Sequence, residues 1–394
     1  MHIAILGRQP HIGMAELERR FGHSATSWLN PQVALIDTPD LTVDSLGGSL
    51  KAGKVAFSTN GDWNSAHQKV IQHYQSAFSE RSGKLTLGIS AYGFDSTSPR
   101  QVQKIGLILK SKLKPAGVNV RLIPNSEASL SSATSHHNKL GLANNKVELL
   151  IINGANGQIV VAESTGSQNI TAIARRDQGR PKRDAFVGML PPKLATIMVN
   201  LATAPAGPET SKPATVLDPF CGTGVLLQEA MLLGFNAYGT DLSERMIEYS
   251  EANLDWLASK YRLSNLTHRL HPGDAIETRW QQPIDAVASE TYLGQPFSAP
   301  PATDKLNQVR RNCNLIISKF LINLSKQLKP GTPVCLGVPA WRDTTGRFSH
   351  LPLVSQLDEL GYRQIEFTNV DTKNLIYYRE DQVVARQLLV LEAK

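Results

Sequence analysis

Thr215-Val-Leu-Asp218-Pro-Phe-Cys221-Gly222-Thr223-Gly224-Val225 reads as an apolar strand ending in an acid, then a glycine-bearing turn that runs straight into a helix. Glycine in such a turn lets the backbone pass close to a ligand with no Cβ in the way. The residues after Gly224 are Val, Leu and Leu, and no Lys-Ser/Thr pair follows the glycines. The turn is therefore neither a GxGxxG pyrophosphate fingerprint nor a P-loop. A second strand, Asn236–Gly239, leads into Thr240-Asp241, where an acid is placed to bind a ribose diol. A third, Leu266–Leu270, is followed by Gly273-Asp274, whose carboxylate can accept from an exocyclic adenine amine. Three acids at three consecutive strand tips describe an adenosine pocket that lacks a phosphate site.

The surrounding second half alternates strand and helix. Helices are expected at Val225–Leu233, Glu244–Tyr261, Thr303–Leu328 and around Leu351–Leu360, and further strands at Ile284–Ala288, Val334–Val338, Arg363–Phe367 and Val383–Leu391. Such alternation predicts an α/β fold with a mostly parallel sheet, and the closing strand pair predicts an antiparallel edge. The first half reads differently, as smaller α+β units with a polar stretch near Asn60–Gly83 between them, and the Pro-rich run Ala204–Pro213 reads as a linker. Helix Arg100–Leu113 carries Val102, Ile105, Leu109 and Leu113 on one face and Lys104, Lys110 and Lys112 elsewhere. That face is a candidate phosphate grip, or an ordinary solvated lysine face.

The chain has 394 residues, 41% apolar and 19% charged, which predicts more than one globular domain. No apolar run is long enough to span a membrane, and Met1 to Gly22 lacks the pattern of a secretory signal. Cys221, Cys313 and Cys335 lie too far apart for a disulfide scaffold or a CxxC zinc pattern, so a cytoplasmic protein without a metal site is expected. The net charge of +7 is uneven: residues 1–190 carry +8 and residues 191–394 carry −1. Such asymmetry fits a polyanion partner for the first half only.

Asp218-Pro-Phe-Cys-Gly-Thr-Gly, with Asp241 and Asp274 in register, resembles the first motifs of class I S-adenosylmethionine-dependent methyltransferases, in the form found among enzymes that methylate amino groups of nucleic-acid bases. Further stretches narrow the likeness: Gly7-Arg8-Gln-Pro-His-Ile-Gly, Leu130-Ser-Ser-Ala-Thr-Ser-His-His-Asn-Lys, Arg176-Asp177-Gln-Gly-Arg180-Pro181-Lys-Arg183-Asp184, Gly188-Met-Leu-Pro-Pro-Lys193-Leu-Ala and Asn374-Leu-Ile-Tyr-Tyr-Arg379-Glu-Asp-Gln. With these the chain resembles the tRNA guanosine-10 N2-methyltransferase family along essentially its whole length. The resemblance implies a ferredoxin-like domain at 1–82, an RNA-binding THUMP domain at 83–168, a linker at 169–190 and a Rossmann-like methyltransferase domain at 191–394. It implies S-adenosylmethionine held by Asp218, Phe220, Cys221, Gly222, Gly224, Asp241, Leu242, Asp274 and Ala275. It also implies tRNA contacts from Lys104, Lys110, Lys112, His136, Lys139, Arg176, Arg180 and Arg183. Which tRNAs are used, how many methyls are added, and whether the chain acts as a monomer or with a small activator subunit stay open.

One departure stands out. The family places Asp-Pro-Pro-Tyr-Gly at the tip of the fourth strand, whereas this chain has Ser289-Glu290-Thr291-Tyr292-Leu293-Gly294. Glu290 and Tyr292 are then the candidates for holding the guanine amine and stacking on the base, as in other enzymes that extrude a base. The alternative is a tRNA-binding protein with altered base choice or lost catalysis. A nicotinamide-dependent dehydrogenase is the remaining rival, disfavoured because the turn lacks a third glycine. Arg175, Arg176, Arg180, Lys182 and Arg183, interleaved with Asp177 and Asp184, fit either phosphate contacts or an internal ion-pair network. Cys221 has no base partner, so no covalent step is expected of it.

Overall fold

The computed structural model describes residues 1–81, 83–94, 97–184, 190–203 and 213–394. Ser82, nearly all of the expected linker Ala204–Pro213, and Gly188 and Met189 of the Pro-Pro-Lys motif lie outside the described residues. The chain divides into two compact units, Met1–Ala172 and Ile173–Lys394.

The first unit contains β1 (His2–Leu6), α1 (Pro10–Phe21), β2 (Thr26–Asn30), β3 (Val33–Ile36), β4 (Ser49–Asn60), α2 (Trp63–Ser79), β5 (Lys84–Tyr92), α3 (Pro99–Leu113), β6 (Asn119–Leu122), α4 (Ser132–His137), β7 (Lys146–Asn153) and β8 (Gln158–Ser167). Its strands form one sheet in the order β2-β3-β1-β4-β8-β7-β5-β6. The polar stretch near 60–83 is largely α2, capped by the Asp62 carboxylate accepting from Ser65 N–H at 2.9 Å. It buries Ala66, Val70, Tyr74 and Phe78 against β5 and β7, at the four-residue spacing of one helix face. β4 and β5, on either side of it, belong to the same sheet through the antiparallel β4–β8 pairing. The apolar face of α3 is as the periodicity predicts: Val102, Ile105, Leu109 and Leu113 are buried, while Lys104, Lys110 and Lys112 are exposed. Lys51, inside the sheet, is ion-paired with Glu148 and donates to Leu130 O at 2.7 Å, fixing the main chain that enters α4.

α5 (Ile170–Gln178) spans the boundary between the units. The second unit continues with α6 (Pro192–Ala202), β9 (Thr215–Asp218), α7 (Val225–Leu232), β10 (Asn236–Asp241), α8 (Glu244–Tyr261), β11 (His268–Pro272), β12 (Ala286–Glu290), α9 (Thr303–Ser325), β13 (Pro333–Arg342), β14 (Phe348–Ser349), β15 (Tyr362–Gln364), β16 (Ile376–Tyr377) and β17 (Val384–Ala393). The main strand order is β11-β10-β9-β12-β13-β17-β15. β11, β10, β9, β12 and β13 run parallel, and β17 is antiparallel to both β13 and β15. This is the mostly parallel sheet with an antiparallel edge region that the alternation predicts. The helix expected around Leu351–Leu360 is only a short 3-10 turn, Pro352–Ser355, and Gly361, at φ 93°, closes the segment. α9 buries Cys313, Ile317, Phe320 and Leu324 into the core shared with β12 and β13.

Strand order reverses direction at β9, between β10 and β12. Such a switch point opens a crevice at the carboxyl ends of the strands, where open α/β sheets bind ligands.

Candidate active site

The crevice is a cavity of about 540 Å³, lined by the turn after β9, the tips of β10 and β11, and residues 290–294 after β12. At its floor Asp218, last residue of β9, is 2% exposed. Its Oδ1 accepts from Ser289 Oγ at 2.5 Å and from Phe220 N–H at 3.1 Å. Burial pushes its pKa up to about 7; the two donors pull against this, and the neighbouring Asp241 and Glu290 carboxylates add to it.

Gly224 caps α7 with φ 79°, a backbone state that side chains disfavour. A Cβ there would sit 2.9 Å from Ser250 Oγ. Ser250 and Asn253, on one face of α8, hold the turn from behind. Ser250 Oγ donates to Gly222 O at 2.8 Å, and Asn253 Nδ2 donates to Thr223 O at 2.9 Å and Lys182 O at 3.0 Å. Asn253 Oδ1 accepts in turn from Lys182 N–H at 2.9 Å. Neither residue is singled out by the sequence motifs. The available signal is two buried polar side chains three residues apart on an otherwise apolar helix face.

Asp241 ends β10 and accepts from Gly222 N–H through Oδ2 and from Ser243 N–H through Oδ1, both at 2.9 Å. Asp274 Oδ1 accepts from Ile276 N–H at 3.0 Å. Phe220 packs edge-on against Phe320 at 4.9 Å, Ala275 is buried, and Leu242 is 76% exposed beside the cavity. All nine residues expected to hold the cofactor therefore belong to one region of the fold, and eight of them line the cavity; Gly224 shapes it from behind. Burial raises the Cys221 thiol pKa, with Asp218 and Asp241 adding to the effect, so the thiol is no nucleophile.

Glu290 is the last residue of β12. Its Oε1 accepts from Arg386 Nε at 2.8 Å, with the two side chains 17% and 12% exposed. Thr291 is pinned by its N–H and its Oγ1 to Gly337 O, at 3.0 and 3.2 Å. Tyr292 is 41% exposed on the cavity wall.

The residues expected on RNA divide. Lys104, Lys110, Lys112 and Lys139 are exposed and His136 is half-buried, all in the first unit. Arg176 does not offer its charge outward: Nε and Nη2 reach both oxygens of buried Glu229 at 2.6 and 3.1 Å, and Thr196 Oγ1 also donates to Glu229. The ion-pair reading holds for that residue, because an acid on α7 lies opposite it. Arg180 is 3% exposed, and its guanidinium nitrogens have no hydrogen-bond partner among the described residues. Arg183 is exposed, and Asp184 pairs with Arg245 at 2.7 Å.

Among the described lining residues are four carboxylates (Asp218, Asp241, Asp274 and Glu290) and no lysine or arginine. Such a wall suits a ligand that is cationic and carries no phosphate. Acids at the tips of β10 and β11, apolar Phe220, Leu242 and Ile276, and a turn with no room for a Cβ fit S-adenosylmethionine: ribose, adenine and a positively charged sulfonium.

The second unit has a Rossmann-like methyltransferase fold, with the pocket at its strand tips. Two family models match parts of the chain, one described as a methyltransferase domain over residues 210–371 and one as a DNA methylase over residues 95–252. The particular proteins it is similar to are tRNA (guanine(10)-N2)-dimethyltransferases. That of Methanothermobacter thermautotrophicus is 32% identical over 169 residues, 42% of this chain and 44% of the relative. That of Pyrococcus abyssi is 33% identical over 120 residues, 30% of this chain and 32% of the relative. The chain thus matches less than half the length of these curated relatives. TrmN from Thermus thermophilus has a similar fold, with a TM-score of 0.53 at 16% identity over 100% of this chain and 99% of that one.

Proposed function

We propose that the chain is a tRNA methyltransferase that moves a methyl group from S-adenosylmethionine to the exocyclic 2-amino group of guanosine 10. The observation that carries this reading is one cavity lined by Asp241 and Asp274 together with Glu290 and Tyr292, in which the charged side chains among the described lining residues are all carboxylates. S-adenosylmethionine supplies an electrophilic methyl carbon attached to a good leaving group. Asp241 binds the ribose diol, Asp274 the adenine amine, and the Asp218 end of the cavity faces the cationic part.

A guanine amine is a weak nucleophile because its lone pair is delocalised into the ring. Glu290 accepts a hydrogen bond from one of its N–H groups, which favours a tetrahedral nitrogen whose lone pair points at the methyl carbon. The N–C bond forms as the C–S bond breaks, S-adenosylhomocysteine departs, and one amine proton is released to solvent. Tyr292 stacks on the extruded base. The remaining catalysis is alignment and electrostatics.

The basic first half, read as ferredoxin-like and THUMP domains at 1–82 and 83–168, is assigned the grip on tRNA through Lys104, Lys110, Lys112, His136 and Lys139. A cytoplasmic setting accords with this substrate; no helix among the described residues is long and apolar enough to cross a membrane. The competing reading, a tRNA binder without this activity, draws on Glu290 having one oxygen already engaged by Arg386.

Glu290→Ala separates the two. The enzyme reading expects methyl transfer to be abolished while tRNA and S-adenosylmethionine still bind. Tight NAD binding with no S-adenosylmethionine binding would overturn the cofactor assignment.

A further inference from the structure

Glutamate at the tip of the fourth strand has one more rotatable bond than aspartate, and Thr291-Tyr292 lacks the stiffness of a Pro-Pro pair. A carboxylate on such a stem loses rotamer freedom only where something holds it. Both ends of this segment are held. Behind Glu290 the main chain is tied to β13, since the N–H and Oγ1 of Thr291 both reach Gly337 O. At the head, Arg386 Nε donates to Glu290 Oε1 at 2.8 Å.

Arg386 is itself framed on two sides. It lies in β17 opposite Pro339 of β13 and opposite Tyr377 of β16, so its backbone sits in a three-stranded antiparallel frame. β16 belongs to the C-terminal stretch Asn374–Gln382 singled out in the sequence, to which the site otherwise assigns no task. The pair is mostly buried, with side-chain exposures of 12% and 17%, so the bond is charge-assisted and poorly screened. One guanidinium bond on Oε1 leaves Oε2 for the cavity that Glu290 lines.

We propose that Arg386 is a positioning residue that orients Glu290 so that its second oxygen accepts from the exocyclic amino group of a purine, taking over the task that a rigid Pro-Pro turn would perform. This rests on the methyltransferase reading above. Arg386 touches neither cofactor nor base; it acts through Glu290 alone. A purely structural ion pair in the sheet would instead show its loss in thermal unfolding and in cofactor and tRNA affinity, with no separate fall in the rate of transfer.

The test is single-turnover methyl transfer to an unmodified tRNA transcript at saturating S-adenosylmethionine, using wild type, R386Q, R386K, E290Q and E290Q/R386Q. Thermal unfolding, S-adenosylhomocysteine calorimetry and tRNA binding are run on each. R386Q is expected to slow transfer about 10- to 100-fold, the range for losing one charge-assisted hydrogen bond. Cofactor and tRNA affinities should stay within about twofold, and R386K should recover part of the rate.

The decisive comparison is E290Q/R386Q, expected to be no slower than E290Q, because the guanidinium–carboxylate bond through which Arg386 acts is already lost, while unfolding and binding stay as in the wild type. R386Q at the wild-type rate, or a double variant slowed by the full R386Q factor beyond E290Q, overturns the proposal. If R386Q does not fold, R386K carries the test: its loss must vanish in the E290Q background, and a loss that persists there overturns the proposal. A folded wild type that binds S-adenosylmethionine and tRNA yet forms no methylguanosine overturns the methyltransferase reading and this one with it. An active wild type with an unimpaired R386Q overturns this one alone.

Discussion

Ser289 Oγ lies 2.5 Å from Asp218 Oδ1, joining the tips of β12 and β9 at the floor of the cavity. The hydroxyl donates to the ionised carboxylate and so opposes the burial that pushes the Asp218 pKa up to about 7. Ser289→Ala is expected to raise that pKa further and to weaken cofactor binding about tenfold at neutral pH, the scale of one lost hydrogen bond to a charged group. Calorimetry with S-adenosylhomocysteine across pH 6–9 checks this, and unchanged affinity with an unchanged pH profile counts against it.

The same carboxylate makes the ligand-free protein less stable as pH rises. At low pH it is protonated in both folded and unfolded chains. Above its ordinary value of 3.8 the unfolded chain sheds the proton while the fold keeps it, and stability falls until the folded group ionises near 7. Between pH 5.5 and 8 this group should cost ~2 kcal/mol. Asp218→Asn should remove that slope in urea titrations at the two pH values while abolishing cofactor binding. A slope that survives the substitution assigns it to other groups.

Asn253 satisfies main-chain groups on two separate segments, Thr223 in the cofactor turn and Lys182 upstream. Asn253→Ala leaves these groups without partners in a buried place, so a loss of about 2–4 kcal/mol in unfolding free energy is expected, with weaker cofactor binding. Chemical denaturation and calorimetry on one preparation read both effects.

Arg176 and the α3 lysines should behave in opposite ways. Arg176→Ala strands buried Glu229 and should cost about 3–5 kcal/mol of stability. Replacing exposed Lys104, Lys110 and Lys112 together by alanine should leave unfolding unchanged, weaken tRNA binding and flatten its salt dependence, by roughly 0.7–0.9 for each phosphate left without its lysine. Filter binding at 50–200 mM salt separates the two, and an unaltered slope in the triple variant removes α3 from the tRNA grip.

The pattern of what was legible follows sequence distance. Asp218, Asp241 and Asp274 could be found because each ends or follows a short apolar strand, and a parallel sheet brings such tips together. The buried face of α3 was equally plain from its spacing. By contrast, the Glu290–Arg386 pair joins residues 96 apart on the two strands that flank β13, one parallel and one antiparallel to it, and nothing local marks either as the other's partner. Arg176, which the sequence leaves open between a phosphate contact and an ion pair, meets Glu229, 53 residues on, because α7 turns that acid inward. The run near 60–83 is polar because α2 exposes one face, while its apolar residues at four-residue spacing serve the sheet. The apolar residues between Leu351 and Leu360 suggest a helix where only a 3-10 turn forms before Gly361 turns the chain.

The proposed reaction is methyl transfer to a guanosine amine. It is tested most directly by nucleoside mass spectrometry of unmodified tRNA incubated with the purified protein and S-adenosylmethionine. New N2-methylguanosine or N2,N2-dimethylguanosine, mapped to position 10 and lost in Glu290→Ala, is the predicted result. No new methylguanosine, from folded protein that binds both S-adenosylmethionine and tRNA, would contradict it.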